Sequence, residues 1–360
     1  MAFRRDAIEI SDEARALHRE APAVDLHADT LMWSRWVGYD LLTRHEAMLP
    51  RHAFAGHVDL PRLREGGIGA QYFGLVSLPV SHAGNRAVID AQIDELERAV
   101  ARSAATGGGG GAADGRGAQL VKADDLAAVE RANAAGGVAA LMGIEGAHAL
   151  DGDLDAIEHF ARRGVRYLGI LHFSANDAGF PAYGWGRRDD EGLMPFGREL
   201  VHRSEDAGLV LDLAHINRKG WFDVCALARR PLYCTHTGVA GAFRHWRNAD
   251  DEQLRALAAT GGAAGVIFAP NFLGGDGLEP VVRHLRHMID VGGEDLPALG
   301  SDWDGMIVPT RGLHDASCLP ALTTALLRAG LPARVVRKIL RDNALRVLGA
   351  ASPRSSAAAT

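Results

Sequence analysis

Eight short apolar runs, each giving way to polar residues at its C-terminal end, recur along this 360-residue chain and leave few folds open to it. In order they are APAVDLHAD, IGAQYFGLVS, VAALMGIEGAH, VRYLGILHF, LVLDLAHIN, RPLYCTH, GGAAGVIFAP and LPALGSDWDG. Continuous apolar runs of this length read as strands buried on both faces, the condition of a parallel sheet. Helical patterns over 87–100, 153–164, 195–208 and 248–262 separate several of them, some closed by the glycine expected just past a helix end. Strand alternating with helix eight times predicts an α/β fold, a (β/α)8 TIM-like barrel, in which functional groups gather at the C-terminal ends of the strands.

Such a barrel takes about 250 residues plus insertions, so a single domain over 1–350 accounts for the length. Residues 106–117 carry a five-glycine run and read as a mobile surface loop, and 351–360 read as a disordered tail. A net charge of −6 provides no basic stripe for nucleic acid. The N-terminal residues lack the apolar core of a signal peptide and no stretch reaches membrane-spanning length, so the expectation is a cytoplasmic protein without a membrane partner. Cys225, Cys234 and Cys318 show no paired spacing and read as small packed hydrophobes.

Five of the runs end in metal-type ligands: His27 and Asp29, Glu145, His215, His236 and Asp302. Residues two apart on a strand share a face, so His27 and Asp29 emerge together and can grip one ion. Glu145 is an acid at the end of a buried run, and a bridging position between two cations would neutralise it, whereas a core arginine is the bland alternative. His215 and His236 end consecutive strands, within reach of one second ion. Nitrogen and carboxylate donors without thiolate favour two Zn2+ per chain, with Mn2+, Co2+ and Fe2+ as alternatives. This is the donor set of a two-metal hydrolase.

The segments VDLHADTL, GIGAQYFGLVS, GIEGAHAL, GVRYLGILHFSAN, LVLDLAHI, PLYCTHT, RNADDEQL and GSDWDG, in that order, resemble the blocks of the membrane (renal) dipeptidase family, peptidase family M19 of the amidohydrolase superfamily. The resemblance runs from about Val24 to Leu348. It implies a binuclear zinc dipeptidase with His27 and Asp29 on one zinc, Glu145 bridging, and His215 with His236 on the other. It further implies Asp302 as the acid/base, His172 as a substrate and oxyanion contact, and Arg247 as the anchor for the substrate carboxylate. A homodimer is implied as well.

The residues themselves are compatible with these roles. Peptide hydrolysis needs an activated water, neutralisation of the tetrahedral oxygen and a proton for the leaving amine. Asp304 competes with Asp302 for the proton transfer, because it lies two residues on; the family pattern favours Asp302 and leaves Asp304 structural. Arg247 precedes Asn248, which reads as the N-cap of ADDEQLRAL, and its planar fork suits a carboxylate. His148, His159, His202, His284 and His287 read as exposed or packed. Tyr183, Trp185 and Phe196 either wall the pocket or pack the long loop after His172. Three departures from the family pattern stand out: Ala28 between the first ligands, Thr235 and Thr237 beside His236, and Phe272 where family members often carry a tyrosine that assists the arginine. The altered pair His245–Trp246 adds to these. The expected activity is hydrolysis of small dipeptides, including those with a C-terminal D residue. The alternatives are a related amidohydrolase acting on another amide, lactam or modified dipeptide of secondary metabolism, and a metal-binding pseudoenzyme, which would need a damaged centre.

Overall fold

The computed structural model describes residues 9–46, 49, 52–78, 84–106 and 119–351. The described residues form nine parallel strands: β1 (Ala23–Ala28), β2 (Ile68–Val76), β3 (Leu120–Lys122), β4 (Val138–Glu145), β5 (Val165–Gly169), β6 (Val210–Asp212), β7 (Tyr233–Thr237), β8 (Ala263–Val266) and β9 (Pro297–Leu299). Eight of them close into a ring in the order β1-β2-β4-β5-β6-β7-β8-β9, with β9 returning to β1 through Asp25 and Leu299. β3 stays outside the ring, paired only with the first residues of β4. The eight apolar runs are the eight barrel strands; β3, short and only partly buried, is the strand that the pattern missed.

Every residue of β2 and β4 is buried, as strands covered on both faces must be. Alternation sorts them. Ala139 and Leu141 point into the barrel with Val24, Leu26, Tyr72, Tyr167 and Tyr233, whereas Ala140, Met142 and Ile144 face the surrounding helices. The same period carries Gly143 and Glu145 inward at the C-terminal end of β4. At Gly143 a Cβ would lie 2.0 Å from the Tyr167 ring, so the glycine makes the space that this tyrosine fills. The last helix, Asn343–Ala351, packs against β1, β6, β8 and β9 and closes the N-terminal end of the barrel.

The helical patterns appear as Asn85–Ala105, Ala156–Arg162, Pro195–Asp206 and Asp251–Ala259. Asn248 is not the cap of the last of these. Asp250 is, in a reciprocal capping box with Gln253, because the acid three residues before a glutamine offers both halves of that motif. Ala351, expected in the tail, is buried at the end of its helix. The glycine-rich residues 107–117 and the tail from 352 onward lie outside the described residues. No helix among the described residues is long and apolar enough to cross a membrane.

Candidate metal centre

The predicted ligands meet over the C-terminal mouth of the barrel, although the strands deliver them differently from simple alternation. In β1 the pairing register slips between Asp25 and Ala28, and in β7 between Cys234 and Thr237. Such bulges re-aim side chains. Leu26 already points inward, so the slip is what turns His27 inward next to it. Asp29, His172, His215 and Asp302 sit just beyond their strands rather than on them. His215 and Asp302 occupy left-handed backbone, at φ 66° and 60°. Conformations of this kind cost roughly 1–3 kcal/mol and persist where the surroundings impose them, commonly at functional sites.

Glu145 is the hub. Its Oε1 lies 3.0 Å from His215 Nε2, 3.6 Å from His236 Nε2 and 3.7 Å from His27 Nε2. His27 Nε2 is 3.2 Å from Asp29 Oδ1 and 3.9 Å from Asp302 Oδ1. The Nε2 atoms of His215 and His236 face one another at 3.0 Å. Two compact donor groups result, His27–Asp29–Glu145 and Glu145–His215–His236, with Glu145 common to both; His27, His236 and Asp302 form a third. All of these residues are buried. His27 Nε2, Asp29 Oδ1 and Glu145 Oε2 find no hydrogen-bond partner among the described residues. Buried donors and acceptors left unmatched in this way are costly, and a cation among them is what their chemistry fits. Gly74 completes the space: a Cβ there would meet Asp29 Oδ1 at 2.3 Å.

Burial dominates the protonation pattern, with His27 as the exception. Burial raises Glu145 well above its ordinary value, with Asp29 adding to the shift. Asp302 is raised to about 8, mainly by burial and against the pull of His27. His215 and His236 are driven well below the usual imidazole range by burial, and His172 to about 3. Burial pushes His27 down too, but Asp29 and Glu145 outweigh it and hold this imidazole at about 10. Crowded carboxylates in a dry site thus recruit a positive charge, here a proton on His27. A divalent cation would meet the same demand and leave His27, His215 and His236 neutral and able to ligate.

Several supporting residues escaped the sequence reading. His27 Nδ1 lies 2.7 Å from the Tyr167 hydroxyl, and with Nδ1–H donating to that oxygen Nε2 becomes the nitrogen that can ligate a cation. His236 Nδ1 is 3.0 Å from the Thr235 hydroxyl, which donates to Asp212 at 2.8 Å. Asp25 accepts from Ser301 N–H at 2.8 Å and from Gln71 at 2.7 Å, fixing the approach to Asp302. Asp25 and Asp212 had a signal: unexplained acids inside apolar runs, two and three residues before a ligand. Tyr167 had none. Asp304 is spoken for at both oxygens, accepting from His57 N–H at 2.9 Å and from the Thr30 hydroxyl at 2.6 Å.

Beside the donors opens a cavity of about 640 Å³, lined by Asp29, His172, His215, His236, Arg247 and Asp302 among polar residues, and otherwise largely apolar. Arg247 is buried, donates from Nη2 to the His236 carbonyl at 3.0 Å, and has no carboxylate partner among the described residues. Asn248 instead of capping a helix donates to the carbonyls of Phe243 and Phe272, each at 2.8 Å, tying the two loops that flank Arg247. Of the ambiguous aromatics, Tyr183 stacks on Trp246 at the rim, Trp185 is exposed, and Phe196 packs against the core. Three of the other histidines have partners of their own: His159 pairs with Asp90, His287 with Asp251, and His284 accepts from Val239 N–H.

A parallel barrel with clustered imidazole and carboxylate donors at its mouth has the architecture of a metal-dependent hydrolase. Residues 11–359 match the membrane dipeptidase family, peptidase family M19, and the chain belongs to that family. It is 32% identical over 313 residues to dipeptidase tcpJ of Claviceps purpurea (strain 20.1), covering 83% of this chain and 70% of that one. Dipeptidase verJ of Clonostachys rogersoniana is 28% identical over 353 residues, 93% of this chain and 86% of that one. Among solved structures, a metallo peptidase from Rhodobacter sphaeroides liganded with a phosphinate mimic of the dipeptide L-Ala-D-Ala superposes with a TM-score of 0.76 at 30% identity, covering 92% of this chain and 99% of the other.

Proposed function

We propose that this chain hydrolyses the peptide bond of small dipeptides with two zinc ions, one held by His27 and Asp29, the other by His215 and His236, with Glu145 shared between them. The observation that carries this reading is the membership of Glu145 in both donor groups. When bound, a metal pair of this kind makes an attacking water more acidic and polarises the scissile carbonyl. Asp302, on the same cluster of donors, takes the proton from that water and returns it to the leaving amine. His172, kept uncharged by burial, presents an imidazole N–H to the carbonyl oxygen as charge develops there. Arg247, oriented by its bond to the His236 carbonyl, offers the rest of its fork to the C-terminal carboxylate of the substrate. Both the fungal relatives named as dipeptidases and the L-Ala-D-Ala mimic held by the bacterial neighbour support the substrate class, including a D residue at the C-terminal position. Three free thiols are in keeping with a cytoplasmic protein.

Elemental analysis of protein purified without chelator tests the centre: two metals per chain are expected, and a value of one that zinc reconstitution leaves unchanged rejects the shared carboxylate. Turnover of L,L and L,D dipeptides tests the substrate. A second reading, hydrolysis of another amide or a modified dipeptide, is favoured by Phe272, which has no hydroxyl to offer a carboxylate beside Arg247. It predicts two bound metals with no activity on either dipeptide series.

A further inference from the structure

Two bulky side chains at the mouth of the cavity stand on backbone that disfavours them. Phe54 has φ 74° and Met306 φ 58°, left-handed values that a large residue adopts only when its surroundings impose them. Burial within the protein does not offset the strain, since Phe54 is 39% and Met306 54% exposed. Both nevertheless line the cavity, together with Met32, Leu78 and Ile307. The constraint is visible. Phe54 N–H donates to the Ile307 carbonyl at 2.8 Å, joining the two loops. Their base is pinned at Asp304, whose backbone N–H donates to His57 Nδ1 at 2.7 Å and whose carbonyl accepts from the Trp33 indole at 2.7 Å. A rigid, strained support that ends in exposed apolar groups over a polar floor is built to bury something that is not part of the chain.

Position says what that is. The shelf occupies the arc of the rim above β9, β1 and β2, whereas Arg247 and Phe272 follow β7 and β8 on another arc. Resting on the reading of Arg247 as the anchor of the C-terminal carboxylate, we infer that the Phe54–Met306 shelf receives the side chain of the N-terminal residue of the dipeptide and selects for a large apolar one. A glycine or alanine there leaves the shelf wet; leucine or phenylalanine covers it.

The test compares kcat/KM of the metal-loaded full-length protein for Leu-Ala, Phe-Ala, Ala-Ala and Gly-Ala. Wild type is expected to favour Leu-Ala over Gly-Ala by about tenfold or more. Phe54→Gly and Met306→Gly should each cut that ratio severalfold, chiefly through KM, while Tm holds or rises because glycine adopts these φ values without strain. Met306→Ala keeps the strain and loses the side chain, so it should cut the ratio without the gain in Tm. Equal kcat/KM for Leu-Ala and Gly-Ala in wild type overturns the inference, as do glycine variants that lower both substrates in proportion. Hydrolysis of Ala-Ala without any preference removes the shelf and spares the dipeptidase reading; metals bound with none of the four dipeptides cleaved removes both.

Discussion

At the N-terminal end of the barrel, Tyr233 donates its hydroxyl to the Ala344 carbonyl at 2.6 Å, and Val24, Leu26, Tyr72 and Leu141 pack beneath the last helix. At the C-terminal end, a few residues further along the same strands, His27 Nε2, Asp29 Oδ1 and Glu145 Oε2 are buried with no hydrogen-bond partner among the described residues, and His215 and Asp302 are held in left-handed backbone. One end is closed largely by its own contacts, the Tyr72 hydroxyl being the exception, and contributes stability. The other leaves its polar atoms waiting for something from outside, at a cost that the first end offsets. The division within a single strand can be sharp: Leu141 is inward and apolar, Glu145 inward and acidic, four residues apart on one face.

Substitutions at the two ends should therefore separate activity from stability. The largest loss is expected for Asp302→Asn, which keeps shape and metal content but removes the proton carrier: kcat should drop roughly 10²–10⁴-fold with two metals still bound. Loss of metal instead would make Asp302 a ligand, a possibility that its 3.9 Å approach to His27 keeps worth measuring. Arg247→Met comes next. Removing one partner of a desolvated charge pair costs about 2–5 kcal/mol, a loss of roughly 30- to 4,000-fold in kcat/KM. A C-terminally amidated dipeptide, already a poor substrate, should hardly suffer further, and equal losses on acid and amide would make Arg247 structural.

Tyr167→Phe probes the boundary between the two ends, because the ring belongs to the apolar interior and the hydroxyl to the metal centre. Zinc affinity, measured by competition with a chromophoric chelator, should weaken by about 10- to 100-fold, while Tm of the metal-free protein stays close to that of wild type. A variant that unfolds without losing metal selectivity would place the tyrosine wholly with the interior. The smallest effect belongs to the closed end: Tyr233→Phe strands the Ala344 carbonyl and should destabilise by about 1–3 kcal/mol in urea, with kcat unaltered. A fall in kcat there would show that the two ends are coupled.

Much of this division is legible in the linear chain. Buried strands must be continuously apolar, so AVDLHAD and ALMGIEG announce both the barrel and the place where it turns polar, and the order of the family blocks adds His172, Arg247 and Asp302. Local pattern was a poorer guide where two neighbours compete for one role, as when Asp250 rather than Asn248 caps its helix because only Asp250 has Gln253 at the right spacing.

What the linear chain could not disclose is contact between residues far apart in it. The bulges that turn His27 and His236 inward depend on how β1 and β7 register against their neighbours, a property of pairs of strands. Tyr167 reads as one more core aromatic until folding sets its hydroxyl 2.7 Å from His27, 140 residues away, through space vacated by Gly143. The positive φ of Phe54 and Met306 likewise goes with a contact between two loops distant in sequence, joined by the hydrogen bond from Phe54 to Ile307. Residue type and strand pattern follow from burial, which each segment carries in its own composition. Register, bulges and strained loops follow from closure of the ring, which exists only once all eight strands are in place.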